Sequence, residues 1–312
     1  MIVAELLEEN KSAVREGVNE LFAAAESNQT HEQDILLVDQ HGFYDELLAD
    51  PEVREEHELS PYVIGPYYVG HAEATSYEFI DLYRQSHIIG RDALQESLGN
   101  EDFERDERFM LEIEKSISLK FWESDSTLKK LYQLSRLVNG ESYDWHFSIS
   151  PDPREGPKKH EIIRKKIRDE VEENCSSFYS AVKDNYKTQV RNAIAHSQYA
   201  FMGRSIHYLN YSEDPKAHCP IQSMPFDEWY DLFSKTILMH NELIRAFKEY
   251  RTRFREKALS NGNRLEVRIT RYDHGEGLQD EPKIEYGHVG VTTNDQWVWH
   301  ESLSDEDHSL AE

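Results

Sequence analysis

Cysteine is almost missing from this chain: among its 312 residues only Cys175 and Cys219 carry thiols. Two thiols exclude a disulfide framework, and neither lies in the CxxC or Cys/His spacing of a structural zinc site. A chain of this length buries a sizeable core without such staples. Long apolar runs are missing too, since no stretch approaches the roughly 18 residues that span a bilayer. The N-terminal stretch MIVAELLEENKSAVREG carries carboxylates where a secretory or transit peptide is basic or acid-poor. We therefore expect a cytoplasmic protein with no membrane partner. No GxGxxG or GxxxxGK[ST] phosphate loop and no GxSxG nucleophile elbow occurs. Basic residues are scarce, 35 against 60 acidic ones, and the formal charge of -25 opposes general attraction to a polyanion.

That deficit is not uniform. Lys158 to Arg204 holds ten basic and six acidic residues, a local balance of +4 that leaves -29 for the rest. A basic island in an acidic chain focuses a phosphate backbone at one place, or else is a solvated helix face. From Leu259 onward four basic and twelve acidic residues make the opposite end strongly negative.

Helical periodicity dominates what is present, with apolar residues recurring every three or four positions. Ile2 to Glu26 forms one such segment through Leu6, Val14, Val18, Leu21 and Phe22, and a weaker one runs near Glu32 to Leu48. Two prolines and two glycines in SPYVIGPYYVG make Pro51 to Gly70 a loop or short extended piece. Helices are expected near Thr75 to Gly99 and Glu101 to Phe121. Ser126 is placed to cap the next, which Asn139-Gly140 stops. SISPDPREGPKKH is a connecting loop. Ile163, Ile167, Val171, Cys175, Phe178 and Val182 then predict one amphipathic helix over Lys158 to Val182, with Cys175 as core packing. A break near Asp184-Asn185 leads to a further helix through Arg191. SIHYLNY alternates like a short strand, and a long helix from Ser223 to about Lys257 carries Phe226, Tyr230, Phe233, Ile237, Ile244 and Phe247. RLEVRITRY and HVGVTTNDQWVWH read as strands of a small hairpin, and the tail ESLSDEDHSLAE as disordered.

Chemistry concentrates in Arg191-Asn192-Ala193-Ile194-Ala195-His196. On an ideal helix Tyr186, Val190, Ala193, Ile194 and Ser197 share an apolar side. Arg191, Asn192 and His196 fan across about 140° of the other, with Tyr199 near its centre. Arginine offers a permanently charged fork for phosphate oxygens and histidine titrates near neutrality. That pair suits RNA cleavage by internal 2′-hydroxyl attack, which needs a base, an acid and a stabiliser of developing phosphorane charge, and no metal. His240, between Ile237 and Ile244 on an apolar stripe, reads as a core histidine. Asp144-Trp145-His146 and Tyr272-Asp273-His274 are too compact in sequence to define metal sites.

The run R-N-A-I-A-H resembles the HEPN-family pattern of arginine, a polar residue, a few variable residues and histidine on a late helix of an α-bundle. The aromatic-rich helix before it (CSSFYSAVKDNYKTQV), the extended stretch after it and the long helix opening PFDEWYDLF are similar to that family as well. The resemblance is specific over about Lys158 to Tyr250. It implies a mainly α fold: a HEPN-like helical bundle over 75–258, a helical extension over 1–74, and a small β hairpin with an acidic tail over 259–312. By the same resemblance His196 is general base or acid, Arg191 binds the scissile phosphate, and Asn192 orients the pair. Tyr199, Lys187 and Arg204 are the expected substrate-binding residues. Family members usually dimerise through this helix, so the resemblance implies a homodimer, with RNA as substrate, no cofactor, and an inhibitory partner protein of toxin or anti-phage defence type. Some members carry a tyrosine two residues after the histidine, whereas that position here is Gln198. The alternative is a non-catalytic helical dimer binding RNA, nucleotide or a partner protein.

Overall fold

Apolar residues spaced by three or four wind into helices over most of the chain, as seen in a computed structural model that describes residues 1–52, 61–65, 67–149, 156–272, 282–293 and 296–300. The helices are α1 Ala4–Asn28, α2 Asp34–Gln40, α3 Glu46–Ala49, α4 Tyr67–Ser86, α5 Arg91–Ser97, α6 Glu101–Glu123 and α7 Asp125–Val138, followed by α8 Lys159–Glu161, α9 Ser176–Asn185, α10 Thr188–Ala195 and α11 Phe226–Ser260. The strands are β1 Ile2–Val3, β2 Phe43–Tyr44, β3 Tyr62–Val63, β4 Ile88–Ile89, β5 Tyr199–Met202, β6 Ser205–Tyr208, β7 Ser223–Pro225, β8 Arg264–Tyr272, β9 Pro282–Val291 and β10 Trp297–His300. Among the described residues no helix is long and apolar enough to cross a membrane. The chain clusters into two compact units, one of Met1–Glu20, Ala72–Leu128 and Lys158–Ile244, the other of Leu21–His71, Lys129–Pro157 and Arg245–Glu312.

In the first unit α6 is set up by its own sequence. The Asn100 side chain accepts from the Asp102 and Phe103 amides, and Glu101, Asp102 and Glu104 complement the helix N-terminus. Its Leu111 and Ile117 pack with Val190 and Ala193 of α10 and with Trp229, Phe233 and Ile237 of α11. A carboxylate also sits in this core. Glu114 is fully buried, accepting from the Tyr83 hydroxyl and the Trp229 indole at 2.9 Å each, and burial raises its pKa. Gly17 of α1 makes room for α9, because a Cβ there would stand 3.1 Å from the Phe178 Cα. Next to it Glu20 accepts from the Ser177 and Phe178 amides at 2.7 and 3.1 Å, holding the first turn of α9 with a carboxylate.

The single helix expected over Lys158 to Val182 is two. After α8 the chain winds as a π-helix over Ile162–Arg168 and tightens to a 3-10 turn over Asp169–Val171, then breaks before α9. A repeat of four exceeds the 3.6 residues of an α-turn, so the wider winding keeps Ile163, Ile167 and Val171 facing one core. All three, with Cys175, Phe178 and Val182, are buried. Burial pushes the Cys175 thiol up to about 12, while Cys219 is half-buried. A disulfide-exchange reagent at pH 8 is expected to titrate one thiol in the native protein and the second only after denaturation. Two fast thiols would remove Cys175 from the core.

His240 of α11 is buried as expected, 4.9 Å from Tyr77 and 5.8 Å from Phe121 between ring centres. Burial pushes its pKa down to about 4 from an ordinary 6.5, against the pull of Asp81 and Glu73. A histidine kept neutral in the fold contributes stability that is complete above the unfolded pKa and lost as pH falls toward the folded one. Between pH 6.5 and 4 that loss is on the order of 3 kcal/mol at about 1.4 kcal/mol per pKa unit. Urea unfolding of His240→Gln should therefore show a flatter decline over that window than the parent. Parallel declines would assign the acid sensitivity elsewhere.

Other boundaries differ for local reasons. The segment Glu32 to Leu48 is not one helix, because His41 adopts φ 54° and closes α2 before β2 pairs with β3. The helix expected from Thr75 to Gly99 starts at Tyr67 and is interrupted by β4, which pairs in parallel with β1. Ser126 is not the cap of α7. The Thr127 amide reaches the Ser124 hydroxyl at 3.3 Å, and Ser126 bonds Glu73 instead. Ser223 opens β7 rather than α11.

In the second unit the C-terminal hairpin is a three-stranded antiparallel sheet of order β10-β9-β8, reached after Gly262 and Asn263 turn the chain at φ 66° and 63°. Gly287 is required there, since a Cβ would fall 2.3 Å from the Trp299 ring. Asp39, buried on α2, takes both nitrogens of Arg251 at 2.7 and 2.8 Å. The tail ESLSDEDHSLAE and the Asp273-His274 pair lie outside the described residues.

Candidate functional site

Helix α10 carries the Arg-Asn-His run and is fixed from below by Val190 and Ala193 in the core. Lys187 precedes it in extended conformation, with no side-chain cap for the first amides. The end is tight. His196 is the last cap residue, Ser197 takes φ 52°, and the Gln198 amide returns to the Ala193 carbonyl at 2.8 Å. The ideal-helix projection therefore stops at His196. Ser197 is exposed rather than packed, and Tyr199 begins β5 instead of lying on the helix face.

Arg191 and Asn192 touch directly: the Arg191 Nη1 donates to the Asn192 Oδ1 at 2.8 Å. His196 follows one turn later, its amide bonded to the Asn192 carbonyl at 3.0 Å, and its side chain is exposed. The Arg191 Nε donates to Glu123 at the end of α6. Burial opposes the charge on that guanidinium, but the Glu123 carboxylate more than restores it and the pKa is raised. Glu123 in turn stands 3.9 Å from Lys159, which pairs with Asp125 at 2.6 Å.

The same pattern recurs along α6. Tyr199 donates its hydroxyl to Glu112 at 2.7 Å, and its ring lies 3.4 Å from the ammonium of Lys115. Phe201 flanks that ammonium at 4.4 Å. Lys115 pairs with Glu112 at 2.8 Å, and its burial pushes the pKa down to about 8. Arg204, in the two-residue turn between β5 and β6 where Gly203 supplies φ 58°, donates to Glu107 at 2.7 and 3.3 Å. Glu107 is fully buried and also accepts from the Tyr230 hydroxyl at 2.7 Å. Arg191, Tyr199 and Arg204 thus each meet an α6 carboxylate. Lys187 does not, and its ammonium donates to the Lys183 carbonyl at 2.9 Å.

Sequence reasoning missed α6 as part of this site. The signal was present as Glu107, Glu112 and Glu123 on a helix flanked by apolar positions, but nothing in one chain's spacing says which cation each carboxylate meets. The sequence also did not reveal the cleft beneath Arg191. There Trp122, Asn185 and Tyr186, all buried, line a cavity of about 20 Å³ with Arg191 and Lys187. The Trp122 Nε1, Asn185 Nδ2 and Tyr186 hydroxyl have no hydrogen-bond partner among the described residues. Lys187 and Tyr186 continue into an open groove of about 790 Å³ in the same unit. Among the described residues no cluster of histidine, cysteine and carboxylate is suited to a metal ion. The compact Asp144-Trp145-His146 run is structural, with Trp145 buried against Tyr62 and Tyr143. Comparison with protein-family models, with curated proteins and with solved structures yields no match to this chain.

Proposed function

We propose that the chain is a metal-independent endoribonuclease of HEPN type, acting as a homodimer in which two copies of α10 face each other across one cleft. What supports the reading is the joined Arg191-Asn192 pair with an exposed His196 one turn beyond it. His196 removes the 2′-hydroxyl proton, the 2′-oxygen attacks phosphorus, and the bond to the 5′-oxygen breaks as that oxygen is protonated. The second subunit's copy of the same histidine supplies that proton. Arg191, oriented by Asn192, neutralises charge gathering on the non-bridging oxygens. Products are a 2′,3′-cyclic phosphate and a free 5′-hydroxyl. Activity of this kind needs restraint, which places the protein among toxins or anti-phage effectors held by an inhibitory partner protein.

The test is RNA digestion by purified protein in excess chelator, with end-group analysis for cyclic phosphate and sizing of the native protein. Cleavage with cyclic ends by a dimer supports the reading, and intact RNA removes it. A second reading rests on the Glu123 contact: a guanidinium already held by a carboxylate suits a non-catalytic dimer that binds RNA, nucleotide or a partner protein. It expects no cleavage from parent or variants.

A further inference from the structure

The cations that α6 leaves free gather in one place. Arg164 and Arg168 from the π-helix and Lys183 and Lys187 beside α10 line the 790 Å³ groove, with Tyr186 and Tyr211 among them. Arg164 is exposed and has no carboxylate partner among the described residues. Arg168 pairs only with its neighbour Asp169, and Lys183 with the Tyr179 hydroxyl. Glu213 and Asp214 oppose them from the far loop, where Asp214 is already engaged by the Lys216 amide. Four basic against two acidic side chains make this wall positive in a chain of formal charge -25. The uncapped amides opening α10, an eight-residue helix, add to it.

A second observation points to an occupant. Tyr186 is buried, yet its hydroxyl has no hydrogen-bond partner; the Thr188 side chain lies beside it and Arg164 and Arg191 both act on it. It lines both the groove and the cleft under Arg191. A buried hydroxyl is costly to leave unpaired. Lys187 stands one helical turn before Arg191, the Arg191 amide bonding the Lys187 carbonyl at 3.0 Å.

We infer that this groove is a track for single-stranded RNA, seating the phosphates that flank the cut on Arg164 and Lys187, with Tyr186 and Tyr211 beside the bases. The inference rests on the ribonuclease reading for its cut site but names a surface that reading does not use. Single-stranded polyanions bind by such a combination of cations and aromatic faces, with strong salt dependence.

The probe is a fluorescent 2′-O-methyl oligoribonucleotide, which lacks the attacking hydroxyl, titrated with the full chain by polarisation across a salt series. Arg164→Ala with Lys187→Ala should weaken binding at least tenfold and lower the log-log salt slope by about 1.4, at about 0.7 per phosphate contact on a single strand. Tyr186→Phe should weaken binding several-fold with an unchanged circular dichroism spectrum. Lys248→Ala, on the exposed face of α11, should bind as the parent. No binding by the parent, parent-like binding by the double variant, or an equal loss in Lys248→Ala would each overturn the track. Parent-like binding beside His196-dependent cleavage refutes the groove alone. Groove-dependent binding without cleavage refutes the ribonuclease reading and keeps the groove.

Discussion

Replacing His196 with alanine is expected to lower RNA cleavage by about 10²- to 10⁴-fold, the range spanned by a positioned general acid or base. The imidazole is exposed at the end of α10 and takes no part in the core, so the variant should keep the parent's melting temperature. Arg191→Ala should cost a similar factor for a different reason. One guanidinium face holds Asn192 and another holds Glu123, and the planar fork is what orients it. Arg191→Lys keeps the charge but not the fork, and its activity should fall nearer to alanine than to the parent. If the residues act on one transition state, the double variant will be no slower than the slower single one. Activity that persists unchanged in all of them would come from a contaminating nuclease or from another site.

Glu107→Ala should remove about 3–5 kcal/mol of stability, the cost of breaking a buried pair and leaving one charge without its partner. The carboxylate is fully enclosed and holds three donors, two on Arg204 and one on Tyr230. Tyr230 is itself buried, so its hydroxyl finds no water when Glu107 is gone. Glu107→Gln preserves volume and one acceptor and should lose less. Tyr230→Phe, which deletes a single bond to a charged group, should cost about 1.5–3 kcal/mol. Denaturant midpoints at constant slope measure all three. A parent-like midpoint for Glu107→Ala would mean that the turn bearing Arg204 is not anchored to α6.

Periodicity was legible wherever one apolar stripe met one core. The long stripe from Phe226 to Phe247, the stop at Asn139-Gly140 and the alternation in SIHYLNY all correspond to elements of the fold. What a single chain does not encode locally is partnership. Ile88 and Ile89 look like more of a helix until Ile2 and Val3 are seen pairing with them. Stripe spacing placed Ile163, Ile167 and Val171 together, but not the change of winding that lets them stay together. The candidate site divides in the same way. Arg191, Asn192 and His196 were legible because they are neighbours on one helix. Glu123, Glu112 and Glu107 were not, since each meets its partner from about 70 to 100 residues away.

The π-wound stretch Ile162–Arg168 constrains how this region tolerates changes in length. Deleting one residue inside it would let the backbone relax to ordinary i to i-4 bonding, yet would rotate everything beyond by about 100°. Val171 and Cys175 would swing out of the interior, and Arg168 would leave the side it shares with Arg164. Length there is as much a part of the design as composition, and single-codon losses should be rarer in this stretch than in the loop that precedes it.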